Sequence, residues 1–480
     1  MTRSHADFYL KIFLTVSVQM STKFFIVVLV CFAVNIMAQP KGPVYGNVRY
    51  EDDYSFLSSA ENRGGDPFNR LKKIPLLGKA ELTFGGQYRF RFERDENRRF
   101  GATTPSSQSF NLHRVYLFAE ARLAQKFRLF GEFKYAAIAG NELPAPVTAE
   151  DEPDVQNLFA EIWARHDAQT KLGLRAGRQE LLFGKQRVIG PSDWANNRRT
   201  FDGLRLIAHV RGWKIDGFVA RPVEFIPERM NKAFEEQTLA GVYAQRPRGN
   251  KSFSAYYVAM KNKVPPPTVG IAATGRLLCH TIGAGFDGKA GNFDWTNEAA
   301  HQFGDFSGSE ISAYMVTLEG GYTLAKIFLK PRVAAGFDLA SGDKNPSEAN
   351  YQTYSQLFPT AHPFLGWADQ TGRQNLRAFS LQLSAQPHRR VTLRLQGFKF
   401  SLAQNRDAFY NKAAVAVRRS ITGAAGTELG REIDAEAAIN LGVHASVMLG
   451  FAQFRPGDFV KNTGVSKPPQ LYYVMAPIRF

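Results

Sequence analysis

From Leu82 to Glu93 the chain alternates strictly: Leu82, Phe84, Gly86, Tyr88, Phe90 and Phe92 take one set of places, and Thr83, Gly85, Gln87, Arg89, Arg91 and Glu93 the other. The end repeats the pattern, with Tyr472, Val474, Ala476, Ile478 and Phe480 in alternate positions. Successive side chains of a strand point to opposite faces, so each stretch predicts a strand with a greasy face. The other face of the first strand carries arginine and glutamate. A soluble sandwich has no use for such charges on a buried face, whereas a barrel with a lipid-facing exterior and a wet lumen requires them.

Eighteen segments of this kind can be traced, each about 9–12 residues long, the length that crosses a bilayer at a steep tilt. They lie near 80–94, 110–123, 127–136, 156–165, 170–179, 201–210, 213–221, 237–245 and 252–262. The second half supplies 278–288, 292–303, 310–321, 330–340, 375–385, 390–400, 430–440, 443–454 and 470–480. The reading is all-β: a transmembrane antiparallel barrel of about 18 strands, with 16 as the alternative count, and either size encloses an aqueous channel. Short connections, such as Ala124-Gln125-Lys126, Asp167-Ala168-Gln169 and Arg211-Gly212, alternate with long ones at 137–155, 180–200, 341–374 and 401–429. Short periplasmic turns and long extracellular loops are the expected arrangement of an outer-membrane barrel. In 292–303 the pattern weakens, because Asn297 and His301 share the phase of Trp295 and Phe303.

The first 38 residues read as targeting sequence. Phe24 to Ala38 is an apolar run after Lys23, too short for a spanning helix and ending in a small residue suited to cleavage. Met20 is an alternative start. Residues 39–79, with the acidic-aromatic run Tyr50-Glu51-Asp52-Asp53-Tyr54, precede the first wall strand as a periplasmic tail or as a segment inserted in the lumen. Only Cys31 and Cys279 occur, so an internal disulfide does not hold the mature fold, and a closed hydrogen-bonded ring is the substitute.

The net charge of +17 suggests anionic partners. Nucleic acid is excluded, because the cations are dispersed along alternating strands of an exported chain. Alternation places Arg89, Arg91, Arg114, Arg122, Arg128, Lys134, Arg175, Arg205, Lys214, Arg332 and Arg394 on the lumen wall. It places Glu93, Glu120, Glu132, Glu161, Asp216, Glu298, Asp338, Glu432, Asp434 and Glu436 there too. Many of these pair across strands and stiffen the barrel. Arginines left unpaired at a constriction would select anions, and guanidinium grips carboxylates bidentately.

Several motifs resemble the alginate export family of outer-membrane barrels: Arg175-Ala176-Gly177-Arg178-Gln179-Glu180-Leu181, Gly190-Pro191-Ser192-Asp193-Trp194-Ala195-Asn196, and Arg199-Thr200-Phe201-Asp202-Gly203-Leu204-Arg205. Ser341-Gly342-Asp343, Leu357-Phe358-Pro359-Thr360 with His362, Gly366 and Asp369, Glu428 to Asp434, and Gly450 to Gly457 follow in order. The terminal strand ending in Phe480 also resembles the closing signature of such barrels, which the barrel assembly machinery receives. The resemblance implies a monomeric 18-stranded barrel in the outer membrane of a Gram-negative bacterium, set among lipid and lipopolysaccharide. It implies passage of an anionic polysaccharide or oligosaccharide, with Arg175, Arg178, Glu180, Asp193, Arg199, Asp202 and Arg205 shaping the constriction. A general, weakly anion-preferring porin is the alternative.

No catalytic, metal or cofactor constellation emerges. Gly283 to Gly288 matches a dinucleotide fingerprint by letters, but it lies within an alternating segment with no helix after it. An outer-membrane hydrolase, the remote alternative, would need a serine and a histidine on the outer face, where His113 is the one early candidate.

Overall fold

The computed structural model describes residues 43–480 except 60, 61, 77, 125, 168, 264–274, 346, 347 and 349. Residues 1–38, read as a leader, and Gln125 and Ala168 of two predicted turns lie outside the described residues. Eighteen strands build the wall. The first nine are β1 (Ala80–Glu96), β2 (Gln108–Leu123), β3 (Phe127–Ala139), β4 (Asp151–His166), β5 (Lys171–Gln179), β6 (Phe201–Val210), β7 (Trp213–Glu224), β8 (Gln237–Arg248) and β9 (Lys251–Asn262). The rest are β10 (Leu277–Ala290), β11 (Phe293–Phe306), β12 (Ser309–Thr323), β13 (Arg332–Ala340), β14 (Leu376–His388), β15 (Val391–Leu402), β16 (Glu428–Asn440), β17 (Ser446–Pro456) and β18 (Gln470–Arg479).

Each strand pairs antiparallel with the next, and β18 returns to β1 in a register running from Gln87↔Arg479 to Glu96↔Gln470. Phe480 completes the closure by exchanging backbone hydrogen bonds with Gly86, at 2.9 and 3.0 Å. A closed ring leaves no strand edge unpaired, which is what lets strands cross a bilayer. No helix among the described residues is long and apolar enough to cross a membrane.

The burial pattern is inside out relative to a soluble protein. On β2, Arg114 and Tyr116 are fully buried while Leu117 between that phase and the next is 51% exposed. Leu381 on β14 reaches 68% exposure and Ile162 on β4 60%. These outward side chains meet lipid rather than water. Tight turns close the short-loop end. At Arg211-Gly212 both residues have positive φ (51° and 81°), the conformation whose twist matches a two-residue hairpin.

Asn297 does face outward, opposite the exposed Phe286 and Leu318, so the weakened pattern there reflects a polar residue on the lipid face. Its Oδ1 accepts a hydrogen bond from the Glu319 backbone N–H at 3.3 Å. Outward-facing His113 shares a 2.9 Å hydrogen bond with the Tyr88 hydroxyl, and His280 one of 2.6 Å with Tyr257. These two imidazoles thus keep a partner on the lipid face.

The core sits inside the barrel. Three segments that fold inward supply much of it: residues 43–76, the loop 180–200 and the loop 341–375. Leu181, Phe183, Val188 and Ile189 pack on Phe201, Phe218, Leu239 and Tyr243. Leu365 and Trp367 pack with Phe398, Phe400 and Phe454. Val48 and Tyr50 sit on Phe118, Phe130 and Phe159. The two inserted loops are stitched together by a parallel bridge between Ile189 and Phe358, with Gly190 N–H donating to the Phe358 carbonyl at 2.8 Å and Phe358 N–H to that of Val188 at 2.9 Å.

Candidate channel lumen

Loop 180–200 enters the lumen as bare backbone, whose carbonyls need donors once water is displaced. The arginines of β1 and β2 are those donors. Arg89 donates to the carbonyls of Asp193 (2.6 Å) and Ala195 (2.9 Å), and Arg91 to that of Trp194 (2.5 Å). The Arg91 guanidinium also lies 3.9 Å over the Trp194 ring. Arg114 donates to the Asp193 carbonyl at 3.1 Å and to its carboxylate at 2.9 Å. From the loop, Asn196 Nδ2 reaches the carbonyls of His113 (3.0 Å) and Ala149 (2.8 Å). These arginines line the wall, yet they hold a loop rather than stand free.

Behind the loop lies a buried ion network centred on Glu180. Arg198 grips it through Nε at 2.9 Å and Nη2 at 2.8 Å, and Arg49 reaches it at 3.2 Å while also bonding Glu132. Gln156 adds a donor at 2.8 Å. Burial opposes ionisation of Glu180, but Arg198 and Arg49 outweigh it and hold the carboxyl below its ordinary range. Asp193 is held well below that range. Its surroundings oppose the charge, but Arg114, Arg198 and Arg89 outweigh them, while about half of the side chain stays open to the lumen (48%). The same network docks the N-terminal segment: Arg198 donates to the Asn47 carbonyl at 2.7 Å and Tyr50 to that of Glu180 at 2.6 Å.

The expectation of unpaired arginines at 175, 178 and 205 is corrected. Arg175 meets Glu161 at 2.6 Å, with its guanidinium also over the rings of Tyr50 and Phe159. Arg178 clasps Asp202 through two bonds of 2.8 and 3.0 Å, and Arg205 meets Asp216 at 2.8 Å. In a lumen narrowed by inserted loops a bare guanidinium would pay desolvation without return, so a neighbouring strand supplies each with an acid, directly opposite for Arg175 and Arg178 and diagonal for Arg205. Arg122 and Arg128 share Glu120. Among the described residues Arg199 is bonded to no acid; it donates to the carbonyls of Gly190 (2.9 Å) and Phe358 (2.7 Å), tying the two loops together.

Glu432 and Asp434 dock loop 341–375. They accept the backbone N–H groups of Ala368 (2.8 Å) and Trp367 (3.2 Å). Gly366 has φ +85°, and a Cβ there would come within 2.4 Å of the Glu432 carboxylate, so only glycine fits. Arg373 of the same loop bonds Asp338 at 2.7 Å and the Arg187 carbonyl at 3.2 Å. His362 stacks on Trp194, with ring centroids 3.8 Å apart and planes 8° from parallel, so the two loops also meet through a pair of rings. Sequence reasoning missed Arg49, Arg187, Arg198 and Arg373, which lie in irregular segments where no period points to a face.

At the short-turn end a cavity of about 810 Å³ remains. Arg122, Arg128, Arg175, Arg205, Lys171 and Lys214 line it, with His166 and His209, against Glu51, Asp53, Glu161 and Asp216. Lys171 and Lys214 stand outside the ion pairs that tie Arg175 to Glu161 and Arg205 to Asp216. The cavity therefore carries an excess of cations on a wall whose other charges are matched.

A family model for alginate export matches residues 80–473. No curated protein matches the chain. Among solved structures, Pseudomonas aeruginosa OccK8 (OprE) aligns with a TM-score of 0.56 at 11% identity, covering 83% of this chain and 98% of that one. Pseudomonas aeruginosa OccK2 (OpdF) gives 0.56 at 9% and the Pseudomonas aeruginosa outer membrane protein opdK 0.56 at 10%, each with the same coverage. At such identities these structures share the fold alone with this chain.

Proposed function

The chain belongs to the alginate export family, and on that premise we propose that this outer-membrane channel passes anionic sugar chains or oligomers, which it meets in the cation-rich cavity at its short-turn mouth. The observation that carries the reading is the imbalance of that cavity, where Lys171 and Lys214 add to the paired Arg122, Arg128, Arg175 and Arg205. A unit charge 4 Å from a carboxylate contributes about 4 kcal/mol at an effective dielectric of 20. Two amines are therefore enough to draw in a sugar acid, and the paired guanidiniums can trade a donor to it as it passes. Several weak sites in series attract a solute without trapping it. In this reading Arg89, Arg91, Arg114, Glu180, Asp193, Arg199, Glu432 and Asp434 act as positioning residues that hold the inserted loops setting the bore, and Arg178 and Asp202 brace the wall by pairing across β5 and β6. The chain works as a monomer, with its closing strand at Phe480 the part presented to the barrel assembly machinery, and its task is passage rather than catalysis.

A general, weakly anion-preferring porin is the second reading, and the matched pairs at Arg175, Arg178 and Arg205 favour it. Bilayer recordings separate the two. A selective channel gives an anion-biased reversal potential and is blocked by uronate oligomers, and Lys171→Gln with Lys214→Gln weakens that block by about tenfold or more. A general porin gives a large current that the oligomers leave untouched.

A further inference from the structure

On the outside of the barrel, the alternation that buries Phe398, Phe400, Glu432 and Phe454 in the lumen turns Lys399, Arg431 and Arg455 outward, and all three are exposed. The register places them in one row. Lys399 is directly opposite Arg431 across β15 and β16, and Arg431 is directly opposite Arg455 across β16 and β17. Arg377 on β14 continues the row one strand further, opposite Ser401 and one outward position closer to the loops. Like charges directly opposite each other on neighbouring strands are destabilising, so a row of three invites an anion. The row's acid is Glu428, 3.6 Å from Arg431, while Arg455 donates to Gln453 at 3.3 Å.

Its height matters as much as its charge. Arg377 and Arg455 lie one residue from the long-loop ends of their strands, and Lys399 and Arg431 three. Toward the short-turn end the same outward phase becomes apolar, with Phe379, Leu381, Leu395, Ile433 and Leu449 exposed. The row therefore marks the boundary where acyl chains give way to headgroups on the extracellular side. It is no uniform rim: at the same height on β11 and β12 the outward, directly opposed pair is Asp305 and Glu310.

We propose that the outer face of β14–β17 binds a phosphorylated glycolipid of the outer leaflet, with Lys399, Arg431 and Arg455 gripping its headgroup phosphates and the apolar ladder below taking its acyl chains. Neighbouring strands are about 4.8 Å apart, so the three cations span about 10 Å and can meet more than one phosphate oxygen at once. Arginine adds a bidentate grip on phosphate, and lysine a point charge.

The test uses the full-length folded barrel in detergent and native mass spectrometry with three probes: bisphosphorylated lipid A, the same glycolipid stripped of phosphate, and inorganic phosphate as competitor. Wild type retains the phosphorylated lipid, and K399Q/R431Q/R455Q retains it about tenfold less or worse. A matched control at the short-turn end of the outer face, R246Q/R248Q/K251Q, binds as wild type does. Equal retention by the row variant, or equal binding of the stripped lipid to wild type, overturns the proposal. Displacement by millimolar inorganic phosphate overturns it too, since it makes the row a free-anion site. The stripped-lipid comparison needs no variant and stands even if the triple substitution impairs folding.

Discussion

The arginine at 198 shows how much one side chain does in this lumen. Its guanidinium bonds both oxygens of Glu180, the Asp193 carboxylate and the Asn47 carbonyl, and so joins two parts of loop 180–200 and the N-terminal segment at one point. Removing one partner from a buried ion network leaves an uncompensated charge and costs about 3–5 kcal/mol. Arg198→Ala is expected to lower stability by that amount in urea titrations of the folded barrel, and Arg198→Lys to recover only part of it, because an ammonium cannot match the fork. Gly366→Ala should act on the other loop, with the Glu432 carboxylate forced away and loop 341–375 undocked. Conductance noise should then rise while the strands, followed by circular dichroism, stay intact. Acid is expected to act on the same points. Glu180 and Asp193 have depressed values in the folded protein. Their contribution is present above the ordinary carboxylate value near 4 and is lost as pH falls through the depressed ones. Loop docking should therefore hold at neutral pH and weaken only under strong acid, visible as opening events in recordings at stepwise lower pH.

At the scale of elements, the wall was legible and its filling was not. All eighteen predicted segments coincide with strands, with ends moved by a few residues, because a period of two over a dozen residues is a strong signal. The inserted segments have no period. Their signature lay on the strands instead, in a form easily passed over. Phe118, Phe130 and Phe159 share the phase of Glu120, Glu132 and Glu161, and an aromatic among lumen charges means that something apolar lies against it. That something is Tyr50, edge-on to Phe159 with centroids 5.2 Å apart. The same blindness assigned Arg89, Arg91 and Arg114 to the open wall, since alternation tells which face a residue takes but not what meets it there. If Arg49 and Tyr50 dock the N-terminal segment, replacing both with alanine removes about 3 kcal/mol of docking and raises its opened population roughly a hundredfold. Limited proteolysis between residues 49 and 73 measures that opening, and unchanged cleavage would show the segment to be held elsewhere.

The whole molecule is a ring of paired strands around a lumen that the chain has largely filled with its own loops. Lipid contact falls to the outward phase, and ion pairs or hydrogen bonds to the inserted backbone engage most of the charges within. What is left over is the cavity at the short-turn mouth and its surplus of lysine. A passage tuned to anionic sugars therefore depends on few groups, and its selectivity should fade with salt, since surplus charge in an open mouth is screened within about 10 Å at 0.1 M. The most direct test is the reversal potential of single channels across a tenfold KCl gradient, recorded with and without uronate oligomers, for wild type and for Lys171→Gln with Lys214→Gln. The account predicts anion preference and oligomer block in wild type, both much reduced in the double variant. Cation preference, or block unchanged by loss of the two lysines, would contradict it.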